Sequence, residues 1–234
     1  MFSCENIQDC SKSLQEIFVI DVKTLDRIKN EIQSQYERSS SYAIDSIMEK
    51  FRLKIKKRMS FCFFHFSWTL NIDTYKKGIL TLPRMMTFLI NEVSNLYGPL
   101  TKDDVIRKLE SKSHLSSRLR INNHMSGPFG FLIKEHGFTE DSDSVAYIEG
   151  GEFMTDIIKA FNFDISIYLS KTKSLVVKYV IHNVEKNEQI GYLKLALEYV
   201  TFGRDLQQLK HMTSTHDNKG KPIPPKDILT IDEI

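Results

Sequence analysis

The chain has 234 residues, 41 % apolar and 26 % charged, with a formal net charge of +2. That length suits one domain with a sizeable core, or one domain plus appendages, in an ordinary soluble composition. So balanced a charge gives no argument for a nucleic-acid partner, and three cysteines with no CxxC pair and no zinc-like Cys/His spacing argue against a disulfide framework or a structural zinc site.

No apolar run approaches the roughly 18 residues of a membrane span. Met1-Phe2-Ser3-Cys4-Glu5 lacks the basic-then-apolar pattern of a signal peptide. The expectation is a cytoplasmic or nuclear protein with no membrane association, no cofactor and no metal. Residues 1–12 read as polar and loose. Leu14, Ile17, Phe18, Val22, Leu25, Ile28, Ile32 and Tyr36 recur every three to four residues, which predicts one long helix or two short ones to about Arg38. Ser39-Ser40-Ser41 breaks the pattern and offers an N-cap to a short helix through Ile44, Ile47, Met48 and Phe51. Arg52 to Arg58 alternates charged and aliphatic residues, the period of a strand. Its lysines read as a solvated edge or as one side of a basic groove.

Next comes the most unusual run, Arg58-Met59-Ser60-Phe61-Cys62-Phe63-Phe64-His65-Phe66-Ser67-Trp68. Cys62 is either a small core residue or the opening of a helix, where a helix N-terminus lowers a thiol's pKa. Asn71 to Gly78 is polar. Pro83 suits a first helical turn, and Met85, Met86, Leu89, Ile90, Val93, Leu96 and Tyr97 predict a helix ending before Gly98-Pro99. The Met pair reads as core filler. Thr101 and Asp104 form a capping-box variant ahead of Val105, Ile106 and Leu109. Residues 111–146 are irregular, and His114, His124 and His136 there lack the spacing of metal ligands.

Glu149-Gly150-Gly151-Glu152 opens a helix carrying Phe153, Met154, Ile157, Ile158 and Phe161. Phe163 to Leu169 alternates as a strand, Leu175 to Val184 reads as a buried strand, and Ile190 to Val200, with Leu193, Leu195 and Leu197 on one face, reads as its hairpin partner. From Gln207 the chain turns polar and proline-rich, as a flexible tail would. The expected fold is α+β: helices around a small mixed sheet drawn mostly from the last third and joined by residues 52–58.

In this order the pieces resemble the ovarian-tumour (OTU) family of papain-like cysteine proteases, which remove ubiquitin. Cys62-Phe63-Phe64-His65-Phe66-Ser67-Trp68 is similar to the family's nucleophile helix. Gly150-Gly151-Glu152, Ile157-Ile158-Lys159-Ala160-Phe161 and Ile165-Ser166-Ile167-Tyr168 are similar to its Gly-Gly-x-x-Glu helix and following strand. The resemblance implies a helical extension over 1–49, an OTU-like domain over 50–206 and a tail over 207–234. It places Cys62 at the nucleophile position. Met59 stands at the family's Asp position, and Thr201, or Glu198 in the other register, at its His position. A thiol nucleophile needs a base and oxyanion donors. The implied function is therefore a catalytically degenerate domain kept as a protein-interaction scaffold, with ubiquitin or a ubiquitin-like protein as partner. Two alternatives stand beside it. One is an active deubiquitinase with a rearranged site, using His211, His182 or His65 as base. The other is a nucleic-acid-associated protein, resting on Arg52 to Arg58 with Lys102, Arg107, Lys108, Lys112, Arg118 and Arg120.

Overall fold

The computed structural model describes residues 1–38, 44–55, 58–109, 127–138, 152–203 and 215–234. The expected cap at Ser39 to Ser41, the Gly150-Gly151 entry, His114, His124, His211, Lys112, Arg118 and Arg120 lie outside these residues. The protein is α+β, with helices and a five-stranded sheet of order β4-β2-β1-β3-β5. Its strands are β1 (Phe61–Thr69), β2 (Phe129–Phe131), β3 (Lys173–Ile181), β4 (Thr215–Asp217) and β5 (Ile228–Glu233). β2 pairs antiparallel with β1 and β4, and β3 with β5. Among the described residues no helix is long and apolar enough to cross a membrane.

The chain divides into two compact units. The first comprises Met1–Phe63, Leu132–His136 and Val180–Ser214. It holds α1 (Ile7–Phe18), α2 (Val22–Arg38), α3 (Ile44–Lys50) and the helix Lys186–Phe202. Of the one long helix or two short ones expected up to about Arg38, two are present; the first starts at Ile7, within the stretch read as loose, and Asn6 caps it by accepting from the Asp9 N–H. The N-terminal residues are not loose. Phe2 and Cys4 are fully buried, the Phe2 N–H donates to the Ser60 carbonyl and the Lys134 N–H to the Cys4 carbonyl. Two apolar side chains spaced by two are too short a signal to separate from a polar background, yet they suffice to bridge onto a neighbouring strand.

Arg52 to Arg58 is not a strand where it is described. Arg52 sits at φ 54°, in the left-handed region, and the Leu53 N–H returns to the Met48 carbonyl at 2.8 Å. This is a helix-end reversal, and it turns the chain just where the alternation begins.

The second unit comprises Phe64–Phe131, Gly137–Tyr179 and Thr215–Ile234. It holds α4 (Leu82–Tyr97), α5 (Lys102–Leu109), α6 (Glu152–Ala160) and α7 (Ile165–Lys171), with most of the sheet. Pro83 lies in the first turn of α4, and the Asp104 N–H donates to Thr101 Oγ1 ahead of α5, as the capping signals predict. Met86, Ile90, Val93, Val105, Leu109, Phe153, Ile157, Ile158 and Tyr168 form one core cluster, so the Met pair does include core filler. Residues 215–234 include two strands and a short 3-10 turn where a loose tail is expected.

Three segments change type. Phe61 to Thr69 is a strand, not a helix. A continuous aromatic run satisfies helical and strand spacing alike, and aromatics favour the pleated surface. Phe163 to Leu169 is not a strand. Asp164 caps α7 by accepting from the Ser166 N–H, and Ile167 turns outward while Tyr168 is buried. Ile190 to Val200 is not a strand either; the helix Lys186–Phe202, α8, spans it. Leu193, Leu195, Ala196, Leu197 and Tyr199 are all buried. A helix buried on most sides over its second half loses its amphipathic period, and what remains imitates a buried strand.

Gly137 has Phe66 against the position its Cβ would occupy. Phe66 is itself boxed by Phe131 at 5.7 Å and Phe138 at 5.0 Å. Gly137→Ala should therefore lower unfolding free energy by about 1–3 kcal/mol through overpacking. Denaturant unfolding checks it, and a variant as stable as the parent would contradict this packing.

Candidate functional site

The sequence places the chemistry at Cys62, in the first unit. Cys62 lies in β1 and is fully buried, as are Cys4 and Cys10. Its backbone N–H donates to the Phe2 carbonyl at 2.8 Å. Phe61 and Phe63, on either side, pack against Tyr192 with ring centroids 5.4 and 5.2 Å away. Burial first, then the Cys10 thiol, push the Cys4 thiol well above the usual cysteine range, and Cys62 adds to the same push. Cys4 is therefore held as a neutral, buried thiol, and a buried, dry setting is the opposite of an activated nucleophile's surroundings.

The proposed helpers are elsewhere. Met59 is buried, and its carbonyl accepts from the Val184 N–H. Thr201 lies in the last turn of α8, where its hydroxyl donates to the Leu197 carbonyl at 2.7 Å. Glu198 is buried on that helix. The His182 Nδ1 meets Ser60 Oγ at 3.0 Å. The His65 Nδ1 lies 2.8 Å from the Phe129 carbonyl, which can only accept, so that nitrogen carries the proton, and burial lowers the imidazole's pKa. His136 is pushed down to about 4 by burial and packs edge-on against Tyr199. Of the residues expected to form a basic face, Arg107 pairs with Asp104 at 2.6 Å, and the Lys108 ammonium lies 5.8 Å over the Phe161 ring. Among the described residues no three His, Cys, Asp or Glu side chains gather as metal ligands.

Sequence reasoning missed a cleft of about 250 Å³ in the second unit, lined by Leu70, Asn71, Asp73, Thr74, Lys77, Phe88, Asn91, Glu92 and Asn95. One wall is the end of β1 and the 3-10 turn Ile72–Lys77, capped by Asn71, which accepts from the Asp73 N–H. The other is α4. Met86, Ile90 and Val93 turn that helix's apolar stripe inward, which leaves Phe88, Asn91, Glu92 and Asn95 on the cleft side at helical spacing.

Glu92 is the unusual member. One carboxylate oxygen, Oε1, accepts from Thr69 Oγ1 at 2.7 Å and from the Leu70 N–H at 3.0 Å. Oε2 receives no hydrogen bond from the described residues. Burial raises the carboxyl's pKa, and the two donors partly offset it. The nearest cation in the lining, Lys77, sits with its ammonium 5.0 Å over the Phe88 ring. The buried Tyr75 and Tyr168 phenols are pushed up by burial first and by the Glu92 charge after it. The cleft is therefore a partly dry, negatively poised site with amide groups at its rim. The one hint in the sequence is that Glu92 has no basic residue three or four positions away, since those places hold Leu89, Asn95, Phe88 and Leu96.

Comparison with known protein families, curated proteins and solved structures finds no match to this chain.

Because folding raises the Glu92 pKa, the folded carboxyl holds its proton to higher pH than the unfolded one. Its contribution is complete below the unfolded value and is lost as pH rises through the folded value. Glu92→Gln keeps an acceptor for Thr69 and Leu70 but cannot ionise. Denaturant unfolding at pH 4 and pH 7 should show the stability difference shifting in the variant's favour at pH 7. A difference that stays constant would mean the carboxylate is fully solvated.

Proposed function

We propose that this chain is a protein-interaction module in which Cys62 serves the core rather than catalysis. The observation that carries this reading is the placement of Cys62 in the fully buried part of a strand, with its own N–H already bonded to Phe2. A cysteine nucleophile requires thiolate character, access for substrate and donors for the oxyanion. Burial opposes the first two, and the bond to Phe2 occupies one donor. The reading keeps the scaffold role that the OTU resemblance implies but does not lean on its architecture. Its nucleophile helix, its following strand and its closing strand correspond here to a strand, a helix and a helix.

A side-chain-sized cleft with a poised carboxylate supports binding as the activity. Ubiquitin and ubiquitin-like proteins are the first partners to assay, by heteronuclear NMR titration of the whole chain. In parallel, the purified protein is incubated with a ubiquitin C-terminal electrophile and a fluorogenic ubiquitin substrate. No adduct and no turnover are expected, in the parent or in Cys62→Ser. Turnover that Cys62→Ser abolishes would sink the proposal. The same burial predicts that none of the three thiols reacts with a water-soluble disulfide reagent in the folded protein, and that all three react after denaturation.

A further inference from the structure

We propose that the Glu92 cleft is a receptor for a lysine side chain carried on a segment of a partner protein. This deepens the interaction-module reading and rests on it. The size selects the class of ligand. At about 250 Å³ the cleft falls below the roughly 300–1,000 Å³ of drug-sized and cofactor sites, yet it holds one long side chain. The charge selects the head group. Glu92 Oε2 has no hydrogen-bond donor among the described residues, while Oε1 is fixed by Thr69 and Leu70, so the carboxylate is held in place with one oxygen open to a ligand. A half-buried anion of this kind is best completed by a charge-assisted hydrogen bond from a cation.

Lys77 does not supply that cation. Its ammonium is held over Phe88. It stands at the same cleft and disfavours a ligand with a second positive charge. A bidentate guanidinium needs both carboxylate oxygens, and Oε1 already takes two donors, whereas a single ammonium needs only Oε2. The apolar stem of lysine has Leu70 and Phe88 to lie against. Asn91 and Asn95, one helical turn apart and exposed, offer primary amides, each a donor and an acceptor, to the peptide groups flanking the incoming residue.

The test titrates the isotope-labelled full chain with N-acetyl-lysine N-methylamide. Saturable shifts are expected at Leu70, Asn91 and Asn95, with binding in the millimolar range that suits one side chain. The Nε-acetylated analogue should not bind. n-Butylammonium should bind more weakly than the blocked lysine because it lacks the peptide groups. Glu92→Gln should weaken the blocked lysine roughly ten- to a hundredfold. Asn95→Lys is the second variant. It is exposed, leaves the Thr69 and Leu70 bonds untouched, and places its own ammonium one turn from Glu92 as an internal competitor, so it too should weaken binding at least tenfold. The proposal is overturned if the blocked lysine does not bind, if acetylation or Glu92→Gln leaves binding unchanged, or if n-butylammonium binds as well as the peptide form. Each of these results is independent of the Cys62 turnover assay, so a failure here and a failure of the interaction-module reading are told apart.

Discussion

β1 cannot be left facing water on either side. Phe61, Cys62, Phe63, Phe64 and Phe66 are all at or near full burial, and a strand apolar on both faces must be covered on both. In the first unit the covering is local and specific. Phe2 bridges to Phe61 with rings 5.3 Å apart, and Tyr192 of α8 reaches both Phe61 and Phe63. In the second unit Phe66 is enclosed by Phe131 and Phe138, Phe64 has the Lys178 ammonium over its ring, and the Trp68 carbonyl accepts from the Tyr168 hydroxyl. Each buried aromatic contributes about 2 kcal/mol of transfer free energy. The demand for cover explains why so short an N-terminal segment is ordered and why α8 is buried over most of its second half.

The same strand creates the cleft. β1 ends at Thr69, and the next residues turn through Asn71 into the 3-10 segment, so the Leu70 N–H and the buried Thr69 hydroxyl find their partner outside the sheet. Both are satisfied by Glu92. Burying a carboxylate is unfavourable unless donors replace the lost water. Two donors on one oxygen meet half of that need. What stabilises the turn therefore fixes Oε1 and leaves Oε2 without a donor among the described residues of the cleft, so structure and binding potential follow from one side chain.

Helices with one apolar stripe and explicit end signals were legible in the sequence. α2, α4 with Pro83, and α5 with Thr101 and Asp104 lie where periodicity and capping put them, α1 starts earlier than the apolar spacing from Leu14 suggests, and β3 follows from its apolar run. Segments whose pattern fits two periods were not. Phe61 to Thr69 has no polar position to betray a period of two. α8 buries so many sides that Leu193, Leu195 and Leu197 look like one face of a strand. In α7 the alternation of Ile165, Ile167 and Leu169 is a coincidence that the Asp164 cap overrides. The cleft was invisible for another reason. Its two walls lie some residues apart in sequence, and the polar side of α4 has the composition of any solvated helix face. Only the missing basic partner of Glu92 marked it, and that absence acquires meaning once Thr69 and Leu70 are placed beside it.

A thiol's position in a sequence motif says little until its backbone is known. On a helix N-terminus, Cys62 would gain a positive end of a dipole and free N–H groups, both of which favour thiolate and oxyanion. On β1 neither is available. Strand dipoles largely cancel, and the Cys62 N–H is spent on the Phe2 carbonyl. Of the imidazoles named as bases, the two among the described residues have other engagements, His65 with the Phe129 carbonyl and His182 with Ser60. The aromatic rings that made this passage conspicuous are thus the reason its cysteine is buried. They fix the segment as a strand, and the strand takes away the helix-end dipole and free N–H groups that would favour a thiolate.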